Sequence, residues 1–226
     1  MSLPATDPRW PKVLSLSVHE FRTPMTVVAG YIRMLLKDRA GPLTEQQRRL
    51  LEEAEKSCAR LTTLLTEVSE LSNLEAGTAP FNKGGVDLAA ILNDAIGSLP
   101  PLPDREVPVT LDLRDGSMPL DGDASRLTQG FRAIIAALRR ELIGDDGLIV
   151  RGRRAEGTFE VLVGDPETIA ALEQEPPGVR GVFDEWRGGV GLTLAVARRI
   201  LNAHGATITA APDGRKSGAR ILFSQL

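Results

Sequence analysis

Two heptad seams dominate the N-terminal third of the chain. Leu14, Val18, Phe21, Met25, Val28, Ile32 and Leu35 follow one another at alternating steps of four and three, and Leu50, Ala54, Ser57, Leu61, Leu64, Val68 and Leu71 repeat the rhythm. Such an alternation puts a narrow apolar stripe on each of two long helices, and only another helix can bury it. Ala-Gly-Pro-Leu-Thr at 40–44 breaks the pair, with Thr44 placed to cap the second helix and Gln47 to complete a capping box. Glu75-Ala76-Gly77 and Pro80 end it. A lone hairpin buries little, so doubling by symmetry into a dimeric four-helix bundle is the expected solution, with a bundle completed by later helices as the alternative. Pro24 interrupts the first seam, and an interior proline costs about 3 kcal/mol and bends a helix.

Residues 77–86, GTAPFNKGGV, read as a linker, after which the texture becomes mixed α/β. Helices are expected at 87–98, 123–142 and from Val190 to a stop at Gly205. Strands are expected at 107–113, 148–153, 158–163, 207–211 and 219–223. Residues 166–187 read as irregular. The expected architecture is thus α plus α/β: a helical hairpin over 12–76 and an α/β sandwich over 83–226.

Composition removes several functions. A net charge of −3 argues against nucleic acid as the main partner. The single cysteine, Cys58, forbids an intrachain disulfide, and two histidines forbid a multi-histidine metal site. No run approaches the roughly 18–20 apolar residues of a membrane span, and MSLPATDPRWPK has no signal-peptide pattern. The chain as read is expected to be soluble and cytoplasmic.

His19 lies one position past the seam residue Val18, so it flanks the core. Glu20 follows it, and Thr23 lies four residues on, on the same helical face. An imidazole beside a carboxylate can act as a nucleophile, the carboxylate serving as base or tautomer-setting partner. A solvated surface histidine is the plainer alternative for an isolated pair.

The pair is not isolated. The string SVHEFRTPMTVVAGYIRML at 17–35 resembles the dimerisation and phosphoacceptor helix of sensor histidine kinases, with His19-Glu20-Phe21-Arg22-Thr23-Pro24-Met25 departing from the family's signature only in Met25 for leucine. The resemblance implies that His19 is the phosphoacceptor and Glu20 the base that activates it. It implies that Thr23 positions water in the reverse, phosphatase reaction, and that Pro24 bends the helix.

Residues 83–226 resemble the ATP-binding domain of the same family, an α/β sandwich. Gly189-Val190-Gly191-Leu192-Thr193-Leu194 resembles a glycine box, whose glycines before a helix let backbone N–H groups approach phosphate. Asp165 matches the aspartate that bonds the adenine amino group, but Pro166-Glu167-Thr168-Ile169 replaces the glycines expected after it. Arg140 falls where a basic residue faces phosphate. Val182-Phe183-Asp184-Glu185-Trp186-Arg187 resembles the phenylalanine box of the lid, from which Arg187 would reach phosphate. Asp123-Ala124-Ser125-Arg126-Leu127 matches the start of the family's helix, yet Ala133 and Ala137 stand where it places two asparagines, the second a magnesium ligand. Alanine offers no oxygen, and Glu141 or Asp145 could substitute only after rearrangement. No residue is assigned to the metal.

The resemblance implies ATP and magnesium as cofactors, a homodimer through the hairpin, and a response-regulator receiver domain as partner. The expected activity is a two-component histidine kinase, phosphorylated on His19 from ATP and passing the phosphoryl group to a regulator aspartate. The departures at Ala137 and Asp165 motivate a second class: a phosphotransfer protein, phosphatase or pseudokinase scaffold whose ATP domain has lost nucleotide or metal.

Overall fold

The computed structural model describes residues 10–142, 147–155, 157–175, 181–186, 191–211 and 218–224. The chain divides into two compact units, Met1–Ala79 and Pro80–Leu226.

The first unit is a helical hairpin of α1 (Trp10–Leu36) and α2 (Glu45–Glu75). The Thr44 hydroxyl accepts the Gln47 N–H at 3.3 Å and the Gln47 side chain accepts the Thr44 N–H at 2.9 Å, so the expected capping box is present in both directions. Helix α1 runs on through Pro24 without a break in its assignment. Both ends of the hairpin are tied across: Ser72 Oγ donates to Pro11 O at 3.0 Å and Arg48 to Leu36 O at 2.9 Å. The seams are only partly covered. Val18 and Ile32 are buried, whereas Phe21, Val28 and Leu50 are 60%, 47% and 65% exposed. None of the described helices is long and apolar enough to cross a membrane.

The second unit holds a five-stranded sheet in the order β2 (Val109–Leu113), β4 (Leu148–Ala155), β5 (Thr158–Gly164), β7 (Ala219–Phe223), β6 (Ala206–Ala210). Only β2 and β4 pair in parallel; β4–β5, β5–β7 and β7–β6 are antiparallel. One face is apolar, with Val150, Val161, Val163 and Ile221 packed under α3 (Leu88–Gly97), α4 (Ala124–Glu141) and α6 (Thr193–Ala203). Each fully buried aliphatic side chain here is worth about 1.5–3 kcal/mol.

Two parts differ from the sequence expectation. The stretch 77–86 is not a plain linker. Gly84–Asp87 forms β1, which pairs antiparallel with β3 (Pro119–Gly122). Neither strand alternates apolar and polar residues, so their pairing rests on the backbone and carries no periodic signal. The stretch 166–187 is not irregular throughout, because Pro166–Gln174 is a helix, α5. Asp165 caps it by accepting the Thr168 N–H at 2.7 Å, and Pro166 occupies the first turn, where a missing N–H costs nothing.

Helix α5 lies on the sheet face opposite the other helices, where Ile169 and Leu172 cluster with Leu162 and Ala211. Gly164 and Gly218 make room for it. A Cβ at either would collide with the Thr168 methyl. A partly buried ionic chain holds its far end. Arg151 pairs with Asp112 at 2.7 Å and with Glu173 of α5 at 2.9 Å. Arg153 pairs with Glu160, and Glu160 with Arg220 at 2.9 Å. Arg220 in turn donates to Leu172 O and, at 2.9 Å, to Glu175 O, which satisfies carbonyls at the C-terminus of α5.

Candidate functional site

Helix α1 presents His19 and Glu20 to solvent, with side chains 78% and 72% exposed. Glu20 Oε1 stands 3.6 Å from His19 Nδ1, longer than a hydrogen bond and within ion-pair reach. A carboxylate on the Nδ1 side favours the tautomer protonated there and leaves the Nε2 lone pair outward as a nucleophile. Thr23, also exposed, follows one turn later on α1. Pro24 cannot donate the N–H that would otherwise close a helical bond to the Glu20 carbonyl.

The other histidine is of a different kind. His204 is 6% exposed at the C-terminus of α6, with Gly205 at φ 73° behind it. Its Nε2 accepts the Asp123 N–H at 3.0 Å, which places the ring proton on Nδ1, 2.7 Å from Ile200 O. Burial pushes its pKa below the usual imidazole value, assisted by Lys83 and opposed by Ile200 O, Asp123 and Asp121. Asp123 also caps α4 through the Arg126 N–H at 3.1 Å. Burial alone would raise its carboxyl, but the N–H groups of Asn82 and Arg126 and nearby positive charge hold it below the usual range.

The lowered His204 pKa has a definite sign. The unfolded chain takes up the proton near the ordinary value of about 6.5, while the folded chain resists it. Stability is therefore complete above that value and is lost as pH falls below it toward the folded pKa. Urea denaturation should show lower stability at pH 5.5 than at 7.5, and His204→Gln should flatten that slope. An unchanged slope in the variant would refute the assignment to His204.

The remaining expected site residues are spread over the second unit. Gly191, at φ 70°, and Leu192 precede α6, whose N-terminus has no side-chain cap. Arg140 is exposed on the last turn of α4, and its carbonyl accepts Arg105 Nη2 at 2.8 Å. Gly189 and Arg187 lie outside the described residues, as does Asp145. Phe183 is buried in the core, and Glu185 pairs with Arg198 at 3.2 Å and Arg199 at 3.4 Å, while Trp186 is exposed. The carboxylate of Asp165 serves as the cap of α5.

The position implied for magnesium does not fit the ion. Ala137 is 1% exposed and belongs to the apolar core, with Ala133 packed against it. A divalent cation of this type needs oxygen ligands, and among the described residues no group of three or more His, Cys, Asp or Glu could hold one.

Residues 12–77, which carry His19, Glu20 and Thr23, match the His Kinase A (phospho-acceptor) domain. The circadian input-output histidine kinase CikA of Synechococcus elongatus is 28% identical over 216 residues, covering 86% of this chain and 27% of CikA. TcrY of Mycobacterium tuberculosis is 30% identical over 200 residues, covering 84% of this chain and 41% of TcrY. The chain thus spans less than half the length of these curated relatives. Among solved structures, full-length ShkA in complex with AMPPNP shares the fold with a TM-score of 0.70, at 22% identity over 94% of this chain and 45% of ShkA. Residues 12–77 therefore carry a histidine-kinase phosphoacceptor domain, and the chain is similar to sensor histidine kinases along most of its length.

Proposed function

We propose that the chain acts as a protein-histidine kinase of a two-component system, in which His19 takes the γ-phosphoryl group of ATP and passes it to an aspartate of a response-regulator receiver domain. The observation that carries this is the exposed His19 with Glu20 on its Nδ1 side at 3.6 Å, inside the matched phosphoacceptor segment. The Nε2 lone pair attacks the γ-phosphorus, a P–N bond forms, and the P–O bond to ADP breaks. The Nδ1 proton passes to Glu20, which leaves a neutral phosphoimidazole. Receiver aspartate then displaces the imidazole. In the reverse reaction Thr23 positions the water that hydrolyses the regulator's acyl phosphate.

Partner and donor follow from the same reading. A second copy of the hairpin would cover Phe21, Val28 and Leu50, completing a four-helix bundle. The phosphates of the nucleotide would meet backbone N–H groups at Gly191 and the start of α6, with Arg140 supplying positive charge. No step is assigned to magnesium, since Ala137 supplies no ligand.

The burial of Ala137 and the capping role of Asp165 favour a second reading, in which His19 exchanges phosphoryl groups with a phosphorylated receiver domain and nucleotide takes no part. One experiment separates the two. The chain is incubated either with γ-labelled ATP and magnesium or with a labelled phospho-receiver. Base-stable, acid-labile label from ATP is expected. Label from the phospho-receiver alone would overturn the kinase reading in favour of the second.

A further inference from the structure

The place implied for magnesium is apolar, so the negative charge of a bound triphosphate must be met by something else. The candidates lie inside the α/β unit, where α4 ends.

The packing of two helices fixes where that end is. His204, at the C-terminal end of α6, accepts the Asp123 N–H at the start of α4. Further along, a Cβ on Gly130 would lie 3.6 Å from the Ile200 Cγ2 and 3.7 Å from Ala197 O. Helices α4 and α6 therefore run antiparallel in contact. The last turn of α4 lies at the end of the unit where α6 begins at Thr193. Ala137 is there too, in one core cluster with Leu194 of α6.

Two guanidinium groups tie this end of α4 to the loop between α3 and β2. Arg105 Nη2 donates to the Arg140 carbonyl at 2.8 Å, satisfying an acceptor that a helix leaves open at its C-terminus. Arg139 is 9% exposed, and its Nη2 donates to Pro100 O at 3.2 Å. Its buried Nε has no hydrogen-bond acceptor among the described residues. The loop is thus held at both of these points, and Arg105 is fixed next to the residue that carries the second exposed guanidinium.

Leu102, Pro103, Asp104, Arg105 and Arg140 line a cavity of about 420 Å³, within the usual size of a small-molecule site. These residues carry two guanidinium groups against one carboxylate, so their sum is positive. Arginine stays charged at any pH of interest, and its planar fork of N–H donors matches phosphate oxygens. Because Arg105 is already anchored on α4, little of its freedom remains to be lost when an anion binds.

We propose that the chain holds the triphosphate of its nucleotide without a divalent cation, and that Arg105, beside Arg140, supplies the positive charge in the metal's place. This deepens the kinase reading above and rests on it. A divalent cation would need oxygen at position 137, whereas two guanidinium groups meet the phosphates through charge-assisted hydrogen bonds and need nothing from Ala137.

The test is a calorimetric titration of the full chain with ATP, once in EDTA and once in excess magnesium. The two dissociation constants should agree within about fivefold. In EDTA, Arg105→Gln and Arg140→Gln should each weaken ATP binding about tenfold. Both side chains belong to exposed residues, so both variants should melt as the native chain does. Tightening by magnesium beyond that fivefold would overturn the proposal, and this arm needs no variant. Native ATP affinity in Arg105→Gln would overturn it as well. The kinase reading fails in a different way. A native chain that binds ATP in EDTA but passes no label to His19, with or without magnesium, would overturn that reading and leave the arginine assignment standing as a binding site. A native chain that binds no ATP under either condition would overturn both.

Discussion

A chain carrying His19→Gln is expected to accept no acid-labile phosphate from ATP or from a phosphorylated receiver domain, a loss of at least about 100-fold. Glutamine places an amide near the same point in space but has no lone pair of comparable nucleophilicity. The side chain is 78% exposed, so the variant should keep native stability within about 0.5 kcal/mol, and a folding defect cannot be confused with the loss. The chain has only one other histidine, His204. Both of its ring nitrogens are engaged, by Asp123 N–H and Ile200 O, and it is buried. Acid-labile label persisting in His19→Gln at a tenth of the native level or more would refute His19 as the phosphoacceptor.

The largest stability effect is expected at Glu160. Its carboxylate is fully buried between Arg153 and Arg220, and Arg220 is 2% exposed. Glu160→Ala leaves the Arg220 guanidinium in the interior without its counter-charge, which costs about 3–5 kcal/mol. That is a large fraction of what holds an ordinary domain together, about 5–15 kcal/mol. Replacing the pair by apolar residues, Glu160→Leu with Arg220→Met, should recover only part of the loss. The reason is that Arg220 also satisfies Leu172 O and Glu175 O at the end of α5. Urea denaturation of the second unit's transition is the measurement, and a loss under about 1 kcal/mol for Glu160→Ala would show that the network is not buried as described. Phosphoramidate labelling of His19, which belongs to the other unit, should survive both variants.

The sequence announces best what it repeats. The two seams and the Thr44–Gln47 box reveal the hairpin because helical periodicity and capping are local properties. His19 to Met25 is legible for the same reason: the chemistry is carried by adjacent residues on one helix. What was hidden depends on distant partners. Helix α5 offers only Ile169 and Leu172 as an apolar face, and it is completed by Arg220, 48 residues beyond Leu172. Strands β1 and β3 pair through backbone groups that no side chain reports. In the candidate site, Asp165 looks the same in sequence whether it caps a helix or meets a base, and the burial of Ala137 follows from packing of α4 that its own identity does not disclose. The stretch 77–86 reads as a linker because its Gly, Pro and Asn residues suit turns, and the bonds that hold much of it come from Asn73, Asp123 and Ala203.

The bonds on either side of Pro80 also dictate how this molecule can be recombined: Thr78 and Ala79 are tied to Asn73 O, Asn82 to Asp123 and Lys83 to Ala203 O. A chimera that exchanges the hairpin for another should be spliced between Ala79 and Pro80. There every capping bond of α2 stays with the incoming piece, and every contact of Phe81, Asn82 and Lys83 stays with the recipient. A splice placed a few residues later, inside the stretch that composition marks as spacer, would strip the Asp123 carboxylate of the Asn82 amide and His204 of its aromatic neighbour. Libraries of such fusions, sorted by crossover point, should therefore show a sharp drop in folded yield on the C-terminal side of residue 80.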